Sequence, residues 1–185
     1  MVERKMMIIL GTAPCLEDDL ENFREIDARA FPAANGEKRY QYLAVGVDCA
    51  DRFLGRIDHA VSYHPREFKA YLKDYKTMPG FYERRAAAGG NLDYATHTHT
   101  RPELGHRVWP FFQPSGSSAM LGVEVALGLG CDKVIVCGCP LTDKGYARFQ
   151  KGWDARLDKI KDKVRAMSGY PRQLLGAPDE EWLTT

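Results

Sequence analysis

The residues best suited to chemistry sit in a short run, Pro114-Ser115-Gly116-Ser117-Ser118, ahead of an apolar stretch from 119 to 130. Serine at a helix start caps a backbone N–H, and glycine frees the turn. No acid follows until Glu124, so the positive helix end stays uncompensated. A phosphate or carboxylate suits that position, held by Ser115, Gly116 and Ser117; an ordinary serine cap on a core helix would use the same residues. A second run, Gly11-Thr12-Ala13-Pro14-Cys15-Leu16, is neither G-x-G-x-x-G nor a Walker A sequence. Glu17, Asp18 and Asp19 follow it and would repel a phosphate. Gly11, Thr12 and Ala13 are therefore expected to meet a sugar or base.

Histidines supply the candidate acid/base groups. His64 ends an apolar run and precedes Pro65, where a strand hands over to a helix, a place that suits catalysis, binding or plain loop packing. His97-x-His99 puts two imidazoles on one strand face with His106 nearby, which suits a metal, but no carboxylate or clear fourth ligand accompanies them. His64 and His97 are both retained as candidate bases. Tyr146, beside Lys144, can donate a hydrogen bond to a ligand phosphate or simply stand exposed.

The elements that must position these groups alternate. Short apolar runs at 6–10, 42–47, 57–63, 92–97 and 133–138 read as strands. Helical spacing recurs at Leu16, Leu20, Phe23 and Ile26, at Phe68, Tyr71, Leu72 and Tyr75, over 81–88 and over 119–130. The run 108–112 leads into the serine-rich turn. This order predicts an α/β, Rossmann-like fold, a mainly parallel sheet with helices on both faces. In such a sheet ligands bind outside the carboxyl ends of the strands, so Gly11, Gly46, His64, His97 and the turn 138–143 are expected along one edge. Ser118, Gly122 and Ala126 form a small-residue stripe that lets the helix lie close to the sheet. Residues 1–150 are expected to form the nucleotide-binding domain. Residues 151–185, read as a charged helix over 153–167 and an irregular tail, are expected to pack on or cap it.

Composition narrows the function classes. The chain has 185 residues, 44% hydrophobic, with 26 basic and 25 acidic residues and a net charge of +1. That balance gives no general attraction for nucleic acid. A local excess of nine Lys/Arg over three Asp between 144 and 172 lacks the aromatic interleaving of a nucleic-acid surface. Five cysteines, an odd set without a secretory segment, fit a reducing cytoplasm, and no apolar run is long enough to span a membrane. Assembly into a homo-oligomer stays open.

Taken in order, these motifs resemble the nucleotide-sugar fold of the family 42 glycosyltransferases, the bacterial sialyltransferases, whose superfamily includes a domain shared with archaeal 6-hydroxymethylpterin pyrophosphokinases. The family's opening strand-Gly-Asn-Gly-Pro-Ser-Leu is similar to Ile9-Leu10-Gly11-Thr12-Ala13-Pro14-Cys15-Leu16. Its Thr-Ser-Gly, helix, Ala-Leu-Gly and following strand are similar to Pro114-Ser115-Gly116, Ala126-Leu127-Gly128 and 134–138. The resemblance covers roughly residues 6 to 149. It implies a nucleotide donor held by Thr12, Gly46, His64, Ser115 and Gly116, with Tyr146 near the phosphate. Thr12, Gly46 and His64 stand where the family has asparagine, Pro140 where it has aspartate, and no histidine follows His106. The expected function is a nucleotide-binding transferase that moves a glycosyl or phosphoryl-linked group from a nucleotide or nucleotide-sugar, its small-molecule substrate. No further cofactor is expected, nor a metal, since no Asp-x-Asp motif is present, though Asp143 leaves a divalent ion open. The alternative is a non-catalytic nucleotide-sensing or interaction module that keeps the pocket.

Overall fold

A computed structural model describes residues 5–32, 39–46, 48–49, 53, 55–64, 66, 86–87, 90, 94–99, 107–109 and 117–185. Seven strands form one all-parallel sheet in the order β5-β4-β3-β2-β1-β6-β7. They are β1 (Met6–Leu10), β2 (Tyr40–Val45), β3 (His59–Val61), β4 (Ala95–Thr98), β5 (Arg107–Val108), β6 (Lys133–Cys137) and β7 (Val164–Ala166). This is the α/β, Rossmann-like architecture expected from the alternation of elements. Every residue of β1 and of β6 is buried. That is why β1 and residues 134–137 of β6 read as unbroken apolar runs: helices cover both faces, so neither pleat meets water.

The pleat sorts their side chains into two cores. Met7 and Ile9 join Leu43, Val61, Val134 and Val136 beneath α2 (Ser118–Gly128). Met6, Ile8 and Leu10 join Ala44, Ala60 and Ile135 beneath α1 (Leu16–Ala30). α1 buries Leu16, Leu20 and Phe23 at helical spacing and leaves Glu17 and Asp18 exposed in its first turn. α2 is apolar almost all round, with seven buried residues and no acid in its first turn. Gly122 lets it lie close: a Cβ there would stand 3.1 Å from Leu43 and 3.2 Å from Val61.

The C-terminal quarter departs from the sequence reading. In place of one charged helix over 153–167, α3 (Ala147–Asp154) ends after the buried Trp153, α4 (Leu157–Ile160) makes a single turn, and β7 extends the sheet beside β6. Val164 and Ala166 are buried while Arg165 is not, a period of two hidden among lysines. The tail is also ordered, as α5 (Gly169–Leu175) and α6 (Glu180–Thr184). Trp182 of α6 lies between two cations, 4.7 Å from Lys133 Nζ and 5.1 Å from Arg165 Cζ. The helix expected after Pro65 and the one over 81–88 lie almost wholly outside the described residues.

Filling the α2–sheet contact should be costly. Gly122→Leu is expected to lower stability by about 1–3 kcal/mol through overpacking, measured by urea denaturation of variant and wild type.

Candidate functional site

The strand order reverses at β1. Its neighbours are β2 on one side and β6 on the other, and both run parallel to it. In open parallel sheets this switch point leaves a crevice at the carboxyl ends of the strands. Gly11 and Gly138 meet there. Gly11 N–H donates to the Cys137 carbonyl (2.8 Å), and Ala13 N–H donates to the Gly138 carbonyl (3.1 Å). A Cβ on Gly11 would run into the Gly138 carbonyl and the Cys139 thiol, and Gly138 holds a φ of +67°. Glycine is required at both positions.

Asp19 braces this contact from behind. Its carboxylate is buried and accepts hydrogen bonds from Gly138 N–H (2.7 Å) and the Ser168 hydroxyl (2.7 Å), with the Cys15 thiol at 3.9 Å. The first turn of α1, the exit of β6 and the residue after Met167 are thereby tied to one oxygen. Asp19, read from sequence as a charge that would repel a phosphate, is engaged by protein donors.

Two further walls complete the crevice. Ser117 is buried and its hydroxyl accepts from Met120 N–H (3.3 Å), capping α2; Ser118 Oγ accepts from Tyr63 N–H (3.3 Å). Ser62 Oγ accepts from His64 N–H (2.9 Å), so the turn bearing His64 is fixed by serines at both ends. Opposite, the chain runs from Pro140 through Asp143 into a 3-10 turn (Lys144–Tyr146) and α3. Leu141 holds a φ of 51°, an unusual conformation for a branched side chain. Its carbonyl accepts from Gln150 Nε2 (2.8 Å), and the Pro140 carbonyl accepts from Tyr170 N–H (2.7 Å). Those bonds hold the strained turn.

The crevice is open to solvent and has a volume of about 610 Å3, within the range of small-molecule sites. Its rim carries Tyr146, 41% exposed, whose ring lies 5.6 Å from that of Phe149. His64, Asp143 and the Tyr146 phenol are its ionisable groups with ready access to solvent. The Cys139 thiol also lines it, but burial pushes that thiol far above its usual range, with nearby thiols and Asp19 adding to the shift, which disfavours a thiolate nucleophile there.

Gly11, Thr12, Ala13, His64, Ser117 and Tyr146 all line this one cavity, as the strand-end argument requires. Gly46 does not line it. It turns the chain at a φ of +79° beside Val45, which does. Ser115 and Gly116 lie outside the described residues. His97 needs correction as a candidate base: it is fully buried, Trp109 Nε1–H donates to its Nδ1 (2.9 Å), and its Nε2 faces His59 Nδ1 at 3.0 Å. Burial first, then His59 and Arg107, lowers its pKa to about 3. Neither nitrogen is free for a substrate or a metal. His99 instead packs its ring 4.5 Å from that of Tyr63, and the described residues contain no metal-binding group of three or more ligands. Comparison with family models, with curated proteins and with solved structures finds no match.

Sequence reasoning missed Asp19 as a brace, Ser62 as the anchor of His64, and Leu141. An acid at the fourth position of a helix was a detectable signal for the first; nothing local marks the other two. Asp19→Ala is expected to lower stability by about 1–3 kcal/mol, because Gly138 N–H is left buried without an acceptor. Asp19→Asn, which keeps an acceptor oxygen, should recover part of that loss in the same urea titration.

Proposed function

We propose that the protein is a nucleotide-binding transferase of the sialyltransferase-like superfamily that works in the switch-point cavity, moving a glycosyl or phosphoryl-linked group from a nucleotide donor. The observation that carries this reading is the meeting of the α2 N-terminus, free of acids in its first turn, with the Gly11 and Gly138 turns around one cavity of about 610 Å3. First-turn amides of a helix lack intrahelical acceptors, and with the helix dipole they favour an anion. The Ser117 and Ser118 hydroxyl oxygens accept from backbone N–H groups, and each keeps its O–H to donate, so the phosphate would be held by main-chain donors of 118–119 together with those hydroxyls.

The remaining roles follow from position. Thr12 and Ala13 face the nucleoside, and the Tyr146 ring offers a flat surface and a hydroxyl donor at the rim. In transfer, the bond between the moving group and the donor phosphate breaks as an acceptor oxygen forms the new bond. His64 takes the acceptor's proton, and the leaving phosphate keeps the electron pair, stabilised by α2 and the Tyr146 hydroxyl. A binding-only sensor is favoured by one observation: the His64 ring has no hydrogen bond to a described residue that would orient it as a base.

Thermal-shift measurements with CMP, CTP, UDP, GDP and ATP test the reading directly. A true ligand at a hundred times its dissociation constant adds about 2.7 kcal/mol of stability. His64→Ala is expected to keep that shift but slow transfer by roughly 10²- to 10⁴-fold. Absence of a shift with every nucleotide overturns the proposal, and a shift without turnover in the wild type selects the sensor.

A further inference from the structure

Two histidines that the cavity does not use lie buried on neighbouring strands, His59 on β3 at 9% exposure and His97 on β4 at 0%. With Trp109, just after β5, they form a chain of two hydrogen bonds, 2.9 Å from the indole to His97 and 3.0 Å from His97 to His59. Its direction is forced. An indole N–H can only donate, so His97 Nδ1 accepts and the His97 proton sits on Nε2. That proton points at His59 Nδ1, which must accept, leaving the His59 proton on Nε2. The latter atom is buried without a partner among the described residues.

Such a chain has no place for another proton. On His97 it would land at Nδ1, opposite the indole N–H; on His59 it would land opposite the His97 N–H. Moving the His97 proton to Nδ1 only transfers the clash to the indole. Of the surrounding charges, Asp58 favours an imidazolium at His59, but burial outweighs it. Asp58, next to His59, is engaged by Arg56 (2.5 Å) and by Tyr42 N–H (2.9 Å). Lys5 and Arg107 add positive charge. Overhead, α2 contributes one acid, Glu124, which is paired with Arg156 at 3.1 Å. Burial chiefly pulls both histidines below their usual pKa of 6.5.

The chain reaches the cavity wall through the backbone. The His97 carbonyl accepts from Ser62 N–H (3.2 Å), and the Ser62 hydroxyl in turn holds His64 N–H. Trp109 N–H donates to the Thr98 carbonyl (2.9 Å), and the indole packs against Gly128 of α2. We propose that the His59–His97–Trp109 chain is an acid-operated latch: neutral, it locks β3, β4 and β5 together, and proton uptake releases the β4–β5 edge together with the turn that carries His64. This inference goes beyond the nucleotide reading and does not depend on it.

The sign follows from the lowered pKa values. The latch contributes fully above the unfolded value of 6.5 and weakens as pH falls below it. Nitrogen-15 NMR of the imidazole rings in the full chain, followed from about pH 7.5 to about pH 5, tests it: each proton taken up raises the opening constant by at most about tenfold per pH unit. Both rings are expected as neutral Nε2–H tautomers at the upper pH, titrating only together with loss of amide-exchange protection at Ser62 and along β4. Trp109→Phe removes the indole donor, so the closed chain can take a proton at His97 Nδ1, and His97 is then expected to titrate without the accompanying loss of protection. In the wild type, either ring titrating alone near 6.5 with protection unchanged or a His97 Nδ1–H tautomer would overturn the latch, as would titration and loss of protection staying coupled in Trp109→Phe.

Discussion

The arrangement depends on the approach of two backbones, at Gly11 and Gly138, where the order of strands reverses. Neither position has room for a side chain, and the β6 turn needs a left-handed residue as well. One buried carboxylate, Asp19, keeps the contact closed by accepting from Gly138 and Ser168. A hydrogen bond to a charged acceptor contributes more than a neutral one, and here it joins three segments distant in the chain. The cavity floor is therefore set by main chain and a brace behind it.

Much of the framework was legible because periodicity alone reports burial. The run at 6–10 matches β1 residue for residue, since a central strand covered on both faces has only apolar residues to show. The C-terminal region was read wrongly for the complementary reason. β7 is three residues long, and the partly exposed Arg165 between two buried neighbours blends into a lysine-rich stretch that resembles a solvated helix. Its strand character comes from pairing with β6, a long-range contact that local composition does not encode.

The site divides along the same line. Gly11, Ser117 and His64 were legible because turn and cap chemistry marks strand ends and helix starts. His97 was misjudged because a histidine on a strand looks the same in sequence whether it faces a ligand or another ring. Only the neighbouring strand reveals His59, and only the chain beyond β5 supplies Trp109. Burial favours pairing of polar groups, so these three residues bond to one another inside an apolar layer, with His59 Nε2 left without a partner among the described residues.

The hydroxyl oxygens of Ser117 and Ser118 both accept within the protein, one from its own helix and one from the turn after β3. Whatever enters the hollow above that helix meets peptide nitrogen beside those hydroxyls. Recognition of this kind leaves little imprint on the alphabet of the chain, because almost any residue supplies the same donor. Descendants could drift far apart letter by letter while preserving the same hollow, and kinship among them would be written in backbone geometry.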